Sequence, residues 1–233
     1  MSSLGKREDG PIAKYVNRKI STRITLFIVS RGYKPSPNIV SIAIFILGLT
    51  PLYFYVSANP ILAGILVQVA SILDGVDGEL ARILGKTSKF GAFIDGVLDR
   101  IVDIVAILGA SYFSYVFLDK ENMFSFAIYF LALSGSLMVS YLHIRALHYL
   151  GKHPALMGSI PQFASRDVRL FILFVGSVCG LVFEALLVIA LVSYVYVFTK
   201  FVEICLLVGF KKKFLHDKFY VRVLIQHCCR HVR

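Results

Sequence analysis

Long apolar runs separated by short polar links dominate the sequence from residue 38 onward. A helix of about 20 apolar residues spans the ~30 Å hydrocarbon layer of a bilayer, so each run reads as a transmembrane helix. The first covers 38–56 and is turned back at once by the uncharged link 57–60. The second starts near Ile61 and continues to Gly85, because nothing before that glycine stops it. The third covers 90–118, and the polar turn DKEN follows at 119–122. The fourth covers 123–142, then runs on as HIRALHYLGKH into a polar connection that reaches Asp167. The fifth and sixth, 170–182 and 186–198, meet near Gly180, with Glu184 close to their turn. Upstream, Ile12, Tyr15, Val16, Ile20, Ile24 and Phe27 recur at a helical period among basic residues, which predicts an amphipathic helix lying in the membrane interface. Pro35 and Pro37 break the chain after it, and Ser36 or Asn38 can cap the first span. The expected fold is all-α: an integral membrane protein of six transmembrane helices with an N-terminal interfacial amphipathic helix. Its organisation reads as a cytoplasmic leader (1–35), a six-helix membrane domain (36–206) and a basic cytoplasmic tail (207–233) that lies on headgroups or is disordered.

Composition agrees, with 57% of the residues hydrophobic and 17% charged and the apolar ones gathered in runs. The formal charge of +11 does not point to nucleic acid, because the lysines and arginines sit in the links, where membrane orientation and anionic headgroups account for them. In a six-span chain the leader, Lys86 and Lys89, the connection with Arg145, Lys152, Arg166 and Arg169, and the tail with Lys211, Lys212 and Lys213 all fall on one face. The other face holds the uncharged link, DKEN and Glu184. Both termini are therefore expected in the cytoplasm of a multi-pass cell-membrane protein. Cys179 and Cys205 lie inside apolar runs and Cys228 adjoins Cys229, so neither a disulfide framework nor a zinc site is indicated. The first twenty or so residues are polar and basic, and no removable signal peptide is expected.

Residues 74–99, DGVDGELARILGKTSKFGAFIDGVLD, break this pattern with four aspartates and an arginine. A carboxylate at membrane depth costs roughly 2.5–3.5 kcal/mol on insertion scales, so such a group marks a site. Asp74 and Asp77 are three apart, and Gly78, Ala81 and Arg82 continue the same helical face; Asp95 and Asp99 stack one turn apart on the next helix. Two facing helices would gather four carboxylates, an arrangement that needs divalent cations between them. Two Mg2+ or Mn2+ ions in such a cluster suit chemistry on phosphoric anhydrides. Gly78 and Ala81 leave the helix surface open to a flat base or a phosphate, and Arg82 offers a planar donor fork. Arg82, Arg100, Lys86 and Lys89 read as too few and too peripheral to neutralise the cluster. Asp103 beside Arg100 reads as a buried ion pair, and His143 and His148 as polar surface at the cytoplasmic end of the fourth helix.

Asp74, Asp77, Gly78, Ala81, Arg82, Gly91, Asp95 and Asp99 fit the CDP-alcohol phosphotransferase signature DxxDGxxARx8GxxxDxxxD at every fixed position, and the chain resembles that family over about residues 10–205. The resemblance implies a six-helix membrane domain, often a homodimer. It also implies transfer of a substituted phosphate from a CDP-linked donor to an alcohol, with CMP released. By position it implies Asp74, Asp77 and Asp95 as ligands of one metal and Asp74, Asp95 and Asp99 of a second. Asp99 would also be the catalytic base on the acceptor hydroxyl. Gly78, Ala81, Arg82, Ser88, Pro37 and Asn38 would contact the CDP moiety.

The acceptor is addressed by a second stretch, ASRDVRLF at 164–171, where Arg166 and Arg169 lie three apart at a helix N-terminus suited to an anion by its dipole and free N–H groups. With Arg145 and Lys200 they are expected to bind the phosphate of a phosphorylated polyol. The leader DGPIAKYVNRKISTRIT and the segment SRDVRLF also resemble di-myo-inositol-phosphate-phosphate synthases, which implies CDP-inositol as donor and inositol 1-phosphate as acceptor. Those domains are often fused to a cytidylyltransferase, which these residues do not include, so the donor stays open. The alternative is a phospholipid synthase using CDP-diacylglycerol or CDP-archaeol with inositol phosphate or another polar alcohol. An intramembrane prenyltransferase would want a second Asp-rich motif, whereas residues 120–233 hold only Asp167 and Asp217. A cation transporter would show broken helices or paired repeats at the midplane.

Overall fold

The computed structural model describes residues 9–33 and 35–230, with side chains through residue 209. Among these residues every regular element is helical. A π-helical turn, Ala13–Asn17, leads into α1 (Arg18–Ser30). Then follow α2 (Pro37–Val56), α3 (Pro60–Ile83), α4 (Lys89–Phe117), α5 (Met123–Leu150), α6 (Arg166–Val178) and α7 (Val182–Arg230). Local chemistry sets the boundaries. Pro37 and Pro60 open α2 and α3, where their missing N–H costs nothing. Asn59, Ser88 and Asn122 cap α3, α4 and α5 by accepting from Leu62 N (3.2 Å), Gly91 N (2.9 Å) and Ser125 N (2.9 Å). Gly85 ends α3 at φ +64°, with Lys86 N bonded to Ala81 O and Gly85 N to Arg82 O, the paired bonds of a Schellman stop.

Four helices are long and apolar enough to cross a membrane by length and composition: α2, α3, α5 and Val182–Gly209 of α7. Of the other two expected spans, α4 is not among these four and carries Asp95, Asp99, Arg100 and Asp103, and α6, with 13 residues, reaches only ~20 Å. Its turn into α7 is at Gly180 (φ +74°), as the sequence suggests. The helix expected to end near 198 instead continues without a break to Arg230. The tail's side chains, and residues 1–8 of the leader, lie outside the described residues.

Small residues let the helices approach closely, as apolar spans in lipid require. A Cβ on Gly48 would meet Val102, one on Gly109 would meet Tyr55, and one on Gly64 would meet Ser177, binding α2 to α4 and α3 to α6. Tyr55, Val67, Ile107, Phe113, Ile128, Leu173 and Leu186 form the main buried cluster. At the opposite end of α3 and α4 the interior turns polar.

The leader helix is seated the other way round from a soluble amphipathic helix. Its apolar residues face outward, with Tyr15 63% and Phe27 59% exposed, while Asn17, Ser21 and Thr25 are buried against α3.

Candidate active site

Asp74 on α3 and Asp95 and Asp99 on α4 each bring one carboxylate oxygen to within 4.8 Å of the others. The fourth expected member, Asp77, does not join this group. Its Oδ2 accepts from Ser41 Oγ of α2 and its Oδ1 from Gly78 N, both at 2.5 Å. It still lines the same small cavity as Ser41, Asp74, Asp95 and Asp99.

Arg166, expected on the acceptor phosphate, reaches the aspartates themselves. Its Nη1 lies 2.8 Å from Asp74 Oδ2 and 3.2 Å from Asp99 Oδ1, and its Nε donates to Asp103 Oδ1 at 2.8 Å. The expectation that nearby cations are all peripheral is thus corrected, because a residue 92 positions along the chain from Asp74 supplies a central one. The Asp103 pair with Arg100 (3.2 Å) is present but forms part of a larger knot, with Arg166 and, at 3.8 Å, Arg169 on the same carboxylate. Arg100 also reaches Asp99 at 3.8 Å and donates to Ser140. Three carboxylates on two helices, two of which share Arg166 with Asp103, are a hard-oxygen set that fits a divalent cation such as Mg2+ or Mn2+.

Two larger cavities adjoin the carboxylates. One, about 450 Å3, is lined by all six residues expected to contact CDP, namely Pro37, Asn38, Gly78, Ala81, Arg82 and Ser88, together with Asp77 and Asp95. A Cβ on Gly78 would meet only Arg82 Nη1, at 3.4 Å, so this helix face is open. The other, about 360 Å3, is lined by Asp74, Arg100, Arg166 and Arg169, by the polar groups of Ser71, Ser140, His143, His153 and Gln162, and by the leader residues Asp9, Gly10, Ala13, Asn17, Arg18 and Ser21.

The acceptor set is therefore only half assembled. Arg166 and Arg169 share this second cavity, whereas Arg145 and Lys200 do not. Arg145 is exposed and stacks 4.4 Å from the Tyr149 ring, donating to its hydroxyl at 2.8 Å. Lys200 is fully buried, and its Nζ donates to Met157 O (2.5 Å), Ile160 O (3.2 Å) and Glu203 Oε2 (2.7 Å), so it clamps the α5–α6 connection. His143 is not surface: its Nε2 lies 2.9 Å from Tyr196 OH and its ring 4.8 Å from that of His153. Its signal was its helical spacing from Ser136 and Ser140, both turned inward. His148 is exposed, as expected. The leader's contribution was missed, although Asn17, Ser21 and Thr25 recur at i, i+4 and i+8 as a polar stripe.

Residues 35–202 match the family model for CDP-alcohol phosphatidyltransferase. The chain is 35% identical over 192 residues to a bifunctional IPC transferase and DIPP synthase of Aquifex aeolicus, an alignment covering 79% of this chain and 42% of that protein. A protein of the same description from Thermococcus kodakarensis is 42% identical over 135 residues, covering 57% of this chain and 29% of that one. The chain thus spans less than half the length of these bifunctional relatives. An archaetidylinositol phosphate synthase of Pyrococcus horikoshii is 35% identical over 160 residues, 69% of this chain and 78% of that one. The fold is that of Mycobacterium tuberculosis phosphatidylinositol phosphate synthase solved with CDP-DAG bound, at a TM-score of 0.65 and 20% identity over 79% of this chain and 93% of that one. The same synthase has also been solved with manganese and citrate, at a TM-score of 0.63 and 20% identity over 78% of this chain and 87% of that one.

Proposed function

The chain belongs to the CDP-alcohol phosphatidyltransferase family, and on that premise we propose that it is a CDP-alcohol phosphotransferase that joins CDP-inositol to inositol 1-phosphate, releasing CMP and forming di-myo-inositol-phosphate phosphate. One observation carries this reading. The carboxylates stand where two cavities meet, Asp95 lining the one with Gly78, Ala81 and Arg82, and Asp74 the one with Arg166 and Arg169. The first suits the CDP moiety. The second combines arginines for a phosphate with hydroxyl, amide and imidazole groups for a polyol.

In this reading Asp74, Asp77 and Asp95 would hold one divalent cation, Mg2+ or Mn2+, and Asp74, Asp95 and Asp99 a second, and the bound charge would neutralise the diphosphate. Asp99 takes the hydroxyl proton as the acceptor oxygen bonds to the donor's β-phosphorus and the anhydride P–O bond to CMP breaks. Pro37, Asn38 and Ser88 close the CDP cavity, and Arg166 and Arg169 hold the acceptor phosphate. Helices α2–α7 form the six-span domain, with α1 in the interface, its outward Tyr15, Ile20 and Phe27 in the headgroup layer. Both termini and both cavities face the cytoplasm, and the enzyme is a homodimer.

A second reading keeps the acceptor and changes the donor to CDP-diacylglycerol or CDP-archaeol. It is favoured by the apolar side of the CDP cavity, where Ile42 and Ile94 from α2 and α4 could pass a lipid chain outward. The test is a donor panel with inositol 1-phosphate and Mg2+, following CMP and labelled product. CMP from CDP-inositol alone is expected. CMP from a CDP-lipid alone would move the donor to the second reading, and none from any of them overturns both. Gly78→Leu is expected to raise the donor KM by about tenfold with the acceptor KM and the thermal midpoint little changed, since leucine is the better helix former and its side chain enters open space. An unaltered donor KM would take Gly78 out of the CDP cavity.

A further inference from the structure

Glu79 follows Gly78 by one residue, yet it faces away from the CDP cavity and is 0% exposed. Four donors reach it, all from the leader. Ser21 Oγ (2.8 Å), Thr22 Oγ1 (3.2 Å) and Arg18 Nη1 (3.1 Å) meet Oε1, and Thr25 Oγ1 (2.9 Å) meets Oε2. Arg18 passes the connection on to Asp9, with Nε and Nη2 at 2.9 and 3.0 Å from the two carboxylate oxygens. Burial alone would lower the Arg18 pKa, and the bonds and charge of Asp9 and Glu79 more than reverse that, so the guanidinium stays charged.

A buried carboxylate is costly unless paired and hydrogen-bonded, and in some proteins such a group serves to fix one register rather than to add net stability. Here it fixes the leader on α3, because a slip of one residue would turn Ser21 and Thr25 away together. Two further ties agree with that register. Asn17 Nδ2 donates to Ser71 Oγ at 3.1 Å and its Oδ1 accepts from Gln68 Nε2 at 3.0 Å. Ala13 N donates to Asp167 Oδ2 at 2.6 Å, beside the start of α6. The seated leader then supplies Asp9, Gly10, Ala13, Asn17, Arg18 and Ser21 to the wall of the arginine-lined cavity.

We infer that Glu79 is a positioning residue for acceptor binding, a latch by which the helix that carries Asp74 and Asp77 holds the leader as a wall of the acceptor cavity. This rests on the assignment of that cavity to the acceptor. One turn of α3 then serves both substrates, with Gly78 on the donor side and Glu79 reaching the acceptor side through the leader.

The test pairs Glu79→Gln with Thr25→Val in the full chain in detergent. Hydrogen exchange of residues 13–30 is read without substrate, and donor and acceptor KM are read from CMP release. Faster leader exchange is expected in both variants, with the acceptor KM up about tenfold in Glu79→Gln, the loss of a charged hydrogen bond. It is expected to rise less in Thr25→Val, with the donor KM unchanged in both. Unchanged leader exchange overturns the latch, as does an equal rise in both KM values, which would place Glu79's effect on the metal-bearing helix itself. Faster exchange with an unchanged acceptor KM overturns the leader's role as cavity wall. If the wild-type enzyme does not use inositol 1-phosphate, the substrate assignment fails separately, and the exchange measurement still decides the latch.

Discussion

Asp99→Asn is expected to lower kcat for CMP release by about a thousandfold while leaving the fold intact. Two losses combine in it. A general base contributes roughly 10²–10⁴ in rate, and an amide in place of a carboxylate also removes one charge from a cation site. The fold survives because Arg166, the closest cation to Asp99 at 3.2 Å, keeps Asp74 and Asp103 at 2.8 Å each. Thermal midpoint and detergent-phase size should therefore match the wild type. Titration with Mn2+ by electron paramagnetic resonance should show weakened binding at one site and retained binding at the site that does not use Asp99. A variant that keeps a tenth or more of the wild-type kcat would remove Asp99 as the base. One that binds Mn2+ as well as the wild type would restrict it to proton transfer.

The sequence carries the first half of this site and not the second, for a physical reason. Asp74, Asp77, Gly78, Ala81, Arg82, Asp95 and Asp99 belong to two adjacent helices, so helical periodicity alone predicts which faces they share. The cavity proposed for CDP follows from the same local rule, with Pro37 and Asn38 added from the start of α2. The side proposed for the acceptor is assembled from α1, α3, α4, α5 and α6, and no periodicity within one helix says which of them touch. Arg166 lies 92 residues from Asp74, and Arg18 lies 61 from Glu79. Lys200 and Arg145 have the charge for a phosphate, yet Lys200 is drawn onto carbonyl oxygens 40 and 43 residues away and Arg145 onto a tyrosine one turn ahead. The polarity of the leader was legible; its direction was not. A helix with one apolar and one polar face seats either face inward depending on whether lipid or water lies outside, and here the polar stripe met a carboxylate in an otherwise apolar helix.

Arg166→Gln should produce an unusual pair of changes, a weaker acceptor and a lower Mg2+ requirement. Arg166 now neutralises part of the charge on Asp74 and Asp99, at 2.8 and 3.2 Å, and a divalent cation competes with it for the same oxygens. Removing the guanidinium makes the local potential more negative, so the half-saturating Mg2+ concentration should fall. The acceptor phosphate loses a charge-assisted donor pair at the same time, a loss of about 1.5–3 kcal/mol, or about 10- to 100-fold in KM. Stability also falls, because Asp103 loses its shortest contact. The full 3–5 kcal/mol typical of a broken buried pair is not expected, since Arg100 at 3.2 Å and Arg169 at 3.8 Å remain on that carboxylate. Arg166→Lys separates the roles, because a single ammonium cannot meet Asp74 and Asp103 from two nitrogens as the guanidinium does. It should keep the wild-type Mg2+ requirement and lose part of the acceptor affinity and stability. An unchanged or raised Mg2+ requirement in Arg166→Gln would mean that Arg166 does not share the carboxylates with the metals in the working enzyme, and its place would then be wholly with the acceptor.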